Sequence, residues 1–322
     1  MDAETADSTL LGEPPVTEGP WIRPSSKTPA EPRWGHADGL QLGLSPIPGP
    51  RGLLRIFAPY LGHDRLEVVN YIAVEPVPAG GTYRGLSELE TSSLDGVRGK
   101  RFWSADGLED AAPRDPGHPA RGVVEVVDGI ERLTVYVLVE RFDNGSEVDV
   151  RVTFRADRPH EVTVAAFRRT TSVPLAACVL TATMGNFARL RRLQLADRIV
   201  TPAELWPGFS GIDFADHKRF GLAEFTRDGS AAVVTASPDE DDLTAVEYSD
   251  DTHEHWKYHG RQAVQGWRAD DPSEGLEVLV NARWAYWASS SPIPGGPSFE
   301  NFELYEPFRQ GSEFTFSVEP LD

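Results

Sequence analysis

The chain has 322 residues, 40% of them hydrophobic, a formal net charge of −19 and one cysteine. That length and apolar content support a sizeable core and exclude a disordered chain. The acidic balance argues against nucleic acid and against an anionic membrane surface, which both call for a basic face, and fits a neutral or cationic partner.

The opening Met1-Asp2-Ala3-Glu4-Thr5-Ala6-Asp7 has neither a basic segment nor an apolar h-region, so no secretory signal is expected and the cytoplasm is the expected location. No apolar run approaches the roughly 20 residues of a membrane span. Residues 1–33, rich in Pro, Glu, Ser and Thr, predict an extended N-terminal arm docked through Trp21. Residues 34–322 predict a single domain, since large β-sandwiches reach this size. Strand signals then follow at 39–44, 53–58 and 66–74, with Pro46-Ile47-Pro48-Gly49-Pro50 as a turn. Residues 76–120 are irregular but carry aromatic and charged side chains, which favours an ordered, functional loop. Residues 121–167 alternate most clearly, and Asp128-Gly129 and Asn144-Gly145 are strong hairpin signals, so an antiparallel meander is expected. The only cysteine, Cys178, lies in the apolar run 176–180, where a thiol behaves as a small core hydrophobe. Residues 184–206 fit helix or strand equally, and 207–255 look acidic and loop-rich. Strands are expected again at 256–267, 276–287, 299–305 and 314–318.

Three late segments carry candidate chemistry. In the first, period-two geometry over 299–306 puts Glu300, Phe302 and Leu304 on one face and Asn301, Glu303 and Tyr305 on the other. An amide, a carboxylate and an aromatic ring together suit a sugar, through hydroxyl hydrogen bonds and ring stacking. In the second, Asn281, Arg283, Ala285 and Trp287 alternate with Ala282, Trp284 and Tyr286, more aromatic surface than one core face needs. The third, 250–267, is the densest cluster of His and acid. His259 is a candidate acid or hydroxyl partner there, whereas a metal on His253 and His255 lacks any supporting ligand pattern. Glu88, Glu90, Asp106 and Glu303 form the pool for a glycosidase carboxylate pair. A dinucleotide fingerprint, a Walker loop and a Gly-x-Ser-x-Gly elbow are all missing, which disfavours nucleotide-dependent chemistry and serine hydrolysis.

The segment 291–306, a Gly/Pro-rich loop followed by an alternating strand, resembles the closing strand of the concanavalin A-like glucanase and lectin sandwiches. The resemblance implies a jelly-roll fold that handles carbohydrate, although the Glu-x-Asp-x-x-Glu catalytic strand of some hydrolases of that superfamily has no match here. The expected fold is all-β, a two-sheet antiparallel jelly-roll β-sandwich with long rim loops. The leading expectation is a carbohydrate-active enzyme, a glycoside hydrolase or lyase. Glu303, Glu88 and His259 are its catalytic candidates, and Trp103, Arg101, Arg283, Trp284, Trp287, Asn301 and Tyr305 its substrate-binding ones. The alternatives are a non-catalytic carbohydrate-binding module and a protein-interaction module. No catalytic metal or cofactor is expected; a structural calcium and the oligomeric state stay open.

Overall fold

The computed structural model describes residues 12–62, 68–81, 83–109, 115–183, 185 and 187–321. They form an all-β structure of two antiparallel sheets packed as a sandwich, with one four-residue α-helix, Pro202–Leu205. The first sheet has ten strands, in the order Val16–Glu18, Trp21–Arg23, Arg33–His36, Gln41–Gly43, Leu53–Phe57, Val68–Pro78, Leu175–Thr183, Ser298–Tyr305, Glu277–Arg283 and Lys218–Gly221. The second runs Ile199–Val200, Leu190–Gln194, Ala231–Pro238, Ala263–Ala269, Glu313–Pro320, Glu161–Arg168, Val148–Arg155, Ile130–Val139 and Phe102–Ala105. Thr226–Asp228 adds beside Ala231–Pro238, and Val123–Val127 beside Ile130–Val139. Among the described residues no helix is long and apolar enough to cross a membrane.

The chain divides into two compact units. The first comprises Met1–Ile56, Ala73–Cys178 and Phe308–Glu313. Its meander forms for the reason the alternation suggests. Val152 pairs with Val135 on one side and Val164 on the other, Val150 with Val137 and Ala166, so the branched side chains stack in rows on the buried face. Asp128 and Gly129 close the adjacent hairpin with φ of 52° and 80°, the left-handed pair that a two-residue turn demands. Asn144-Gly145 sits instead in a wider loop. There the Asn144 amide donates to the Pro76 carbonyl (3.1 Å) and its oxygen accepts from the Ser146 N–H (3.0 Å).

The stretch expected as an N-terminal arm contributes Val16–Glu18 and Trp21–Arg23, with Trp21 buried and its indole donating to Glu131 (2.5 Å). The long segment 76–120 is tied down by buried Lys100, whose ammonium reaches Asp143 (2.8 Å) and Glu90 (3.1 Å) and donates to the Thr91 carbonyl (3.2 Å). It also carries the short strand Phe102–Ala105. Its residues 82 and 110–114, and residues 66–67 of an expected strand, lie outside the described residues.

The second unit comprises Phe57–Ile72, Val179–Pro307 and Phe314–Asp322. Residues 190–194 and 199–200 resolve to strand. The expected loop at 207–255 instead holds Ala231–Pro238, a largely buried strand paired on both sides. Its alanines flank a Val233-Val234-Thr235 run too short to show alternation, and its β form is set by neighbours on both sides. The strand expected from 256 begins at Ala263, because Glu254–Trp256 is a 3₁₀ turn and the Tyr258 hydroxyl donates locally to the Arg261 carbonyl (2.7 Å). The strand expected over 276–287 ends at Arg283. Trp267 is a core anchor of this unit: its indole donates to the Phe302 carbonyl (2.9 Å) and its ring meets Phe316 edge-on.

Two glycines separate conformational strain from steric strain. A Cβ at Gly52 would lie 1.9 Å from the Ser87 carbonyl oxygen, whereas one at Gly229 would meet nothing; both residues have positive φ. Gly229→Ala should therefore cost about 1 kcal/mol, and Gly52→Ala at least about 2 kcal/mol more, in urea unfolding. Equal losses would show that the close approach at Gly52 is not a constraint.

Candidate functional site

Glu277–Arg283 and Ser298–Tyr305 pair antiparallel, with Val280 opposite Phe302 and Val278 opposite Leu304 on an apolar face. Leu279 lies opposite Glu303 and Glu277 opposite Tyr305, so Glu277, Leu279, Asn281, Arg283, Glu303 and Tyr305 share the other face. The register slips between Val280 and Ala282, where Glu300 and Asn301 together lie opposite the single Asn281. This β-bulge overturns the strict alternation expected for 299–306, which grouped Glu300 with Phe302 and Leu304. It places Glu300 within the electrostatic reach of Arg283. The Asn281 side-chain Oδ1 accepts the Asn301 backbone N–H (2.9 Å), which fixes the Asn281 amide across the bulge.

Lys218–Gly221 pairs with the far edge of Glu277–Arg283, with Lys218 opposite Val280, and so delivers the preceding His217 onto this face. His217 Nε2 lies 2.9 Å from Glu303 Oε1 and 3.4 Å from Asn281 Nδ2. Glu303 is fully buried, whereas the His217 side chain is 34% exposed. A buried carboxylate is costly unless paired, so the imidazole both satisfies Glu303 and connects it to solvent. On the other flank Thr181 lies opposite Glu303, and the Thr183 hydroxyl donates to Asn301 Oδ1 (2.9 Å).

Glu300 is 1% exposed, and its Oε2 makes no hydrogen bond. Burial raises its carboxyl to about 7, against a smaller opposing pull from Arg283. Burial in turn holds the Arg283 guanidinium below its ordinary range, countered by Glu300 and Asp213. Arg283 is fixed by the carbonyls of Ala285 (2.9 Å) and Ile212 (2.8 Å). Two carboxyls three residues apart on one strand thus occupy different environments, one against an imidazole and one raised to about 7 by burial. Such a split separates an acid from a base.

The structure brings Arg283, Asn301, Glu303 and Tyr305 together on this face, with Trp287 packed 5.3 Å from the Arg283 guanidinium carbon and Arg219 over the Tyr305 ring. His259 lies on a different loop, 3.4 Å from Glu254, which also pairs with Lys257. Trp284 lies beyond the strand end, where its carbonyl accepts from the Ile293 N–H (2.9 Å), so the alternation expected past Arg283 does not hold. Glu88, Arg101 and Trp103 belong to the first unit, where Arg101 stacks over Trp103 and Trp103 packs with Ala105 and Leu138. His253 and His255 have ring centroids 5.5 Å apart. Among the described residues no group of three or more His, Cys, Asp or Glu is placed to hold a metal. Cys178 is buried, and burial pushes its thiol up to about 12, as befits a core residue.

Sequence reasoning missed His217, which falls in the segment expected to be loop, and it misplaced Glu300. No family model, no curated protein and no solved structure matches the chain.

The raised Glu300 carboxyl gives stability a definite pH dependence. The folded state keeps this proton up to about pH 7, whereas the unfolded chain releases it near 4.5. Between these values the folded state binds more protons, so stability falls as pH rises through this window, by about 3 kcal/mol at most. Glu300→Gln should flatten that part of the pH–stability curve in denaturant titrations from pH 4 to 8. A slope of the same size in the variant would assign it to other groups.

Proposed function

We propose that the face built on Glu277–Arg283 and Ser298–Tyr305 is the active site of a carbohydrate-active enzyme that cleaves a glycosidic bond by acid–base chemistry. The observation that carries this reading is the pairing of fully buried Glu303 with partly exposed His217, on the same strand as a second carboxyl, Glu300, that burial raises to about 7. Glycoside cleavage needs one group to protonate the leaving oxygen and another to activate water or attack the sugar. Glu300 has the environment of the acid. Glu303 accepts the His217 Nε2 proton and orients the ring, which leaves Nδ1 to take a proton from water. Asn301, Thr183 and Asn281 supply the amide and hydroxyl groups that hydroxyl-rich ligands need, and Tyr305 and Trp287 supply ring faces. The resemblance of 291–306 to the concanavalin A-like sandwiches supports the carbohydrate side of this reading.

One observation favours a second reading, a non-catalytic carbohydrate-binding module: Glu300 is almost entirely shielded from solvent. In that case its neutral carboxyl serves the bulge rather than a substrate.

An activity screen on oligosaccharides with wild type, Glu303→Gln and Glu300→Gln separates the two. The enzyme reading expects turnover by wild type and a loss of about 10²-fold or more in kcat/KM for each variant. Full activity in both variants would sink the assignment, and binding without turnover by wild type would favour the module.

A further inference from the structure

Ile212 and Phe214 are 59% and 40% exposed, and both lie in the segment that runs directly into His217. That segment is held in place rather than free to fold its apolar groups away. Arg283 donates to the Ile212 carbonyl (2.8 Å), and the Trp206 indole donates to the Asp216 carbonyl (2.8 Å). The Phe214 ring lies 5.7 Å from the Trp287 ring at a tilt of 48°. The Arg283 guanidinium carbon lies 4.8 Å from the Phe214 centroid and 5.3 Å from the Trp287 centroid. Arg283 shares its strand face with Asn281 and Glu303, so the aromatic pair continues directly from the polar site.

We propose that Phe214 and Trp287, with Ile212 at the edge, form a subsite for an apolar group attached to the ligand whose hydroxylated part meets His217 and Asn301. The ligand class is an aryl glycoside rather than a bare oligosaccharide. The proposal rests on the reading of the His217–Glu303 face as a carbohydrate site. Ile212 decides between hydrocarbon and a second sugar ring. Its side chain offers apolar area but neither a ring for stacking nor a polar atom for a hydroxyl. Exposed apolar surface fixed beside a polar site is stabilised when a ligand covers it. The patch involves only three side chains, far fewer than the roughly 20 residues a side of a stable protein interface.

Isothermal titration of the full chain with phenyl β-glucoside and with methyl β-glucoside tests this. The phenyl compound should bind at least about tenfold more tightly to wild type, and Phe214→Ala should shrink the ratio to about twofold or less. Ile212→Ser carries the same test if Phe214→Ala loses the wild-type circular dichroism. Equal affinities, no binding of either compound, or a ratio unchanged in a folded variant would overturn the subsite. This ratio is read from binding alone and does not require turnover. A preserved ratio with no turnover by wild type would sink the acid–base reading while leaving the subsite standing.

Discussion

A carboxylate removed completely from water is the constraint around which the second unit's polar face is arranged. Glu303 lies mid-strand in Ser298–Tyr305, opposite Leu279 and Thr181, with its side chain fully out of solvent. His217 reaches it from 86 positions earlier in the chain, because Lys218–Gly221 runs along the sheet edge and sets the imidazole 2.9 Å from the carboxyl. The ring remains partly in solvent, so a group that by itself would be a costly core defect becomes connected to the surface.

The bulge at Glu300 and Asn301 completes the arrangement. One extra residue opposite Asn281 rotates Glu300 off the apolar row and into the field of Arg283. The same slip lets the Asn281 side chain capture the Asn301 N–H that would otherwise seek a ladder partner, and this fixes the amide beside His217. Arg283 then links two environments. Its side chain touches the aromatic pair Phe214 and Trp287, and its hydrogen bonds hold the turn after the strand and the segment leading into His217. Polar pairing, backbone irregularity and aromatic packing therefore depend on one another across a few residues.

The sequence makes the meander of the first unit legible because each signal there is local. Valines alternate over eight-residue stretches, and Asp128-Gly129 supplies the positive φ values that its turn requires. The all-β class follows from such segments. Ala231–Pro238 is illegible by the same logic, since alanines mark no face and only the flanking strands make the segment extended. At the site, Asn301, Glu303, Tyr305 and Arg283 are readable from alternation around short strands. Glu300 is not, because a bulge inverts alternation without changing composition. His217 is not either, because its partner is distant in sequence and no spacing motif encodes the pair. The turn past Arg283 likewise defeats a period-two reading of Trp284 and Trp287, whose positions follow from the strand's end rather than its continuation.

The coupling between His217 and Glu303 is the central physical claim, and a double-mutant cycle on stability measures it most directly. His217→Ala, Glu303→Gln and the double variant would be unfolded in urea beside wild type. If the imidazole compensates the buried carboxylate, His217→Ala is markedly destabilising, and the double variant recovers about 1–3 kcal/mol relative to the sum of the single changes. Additive losses within about 0.5 kcal/mol would contradict the account, because the two side chains would then not depend on each other.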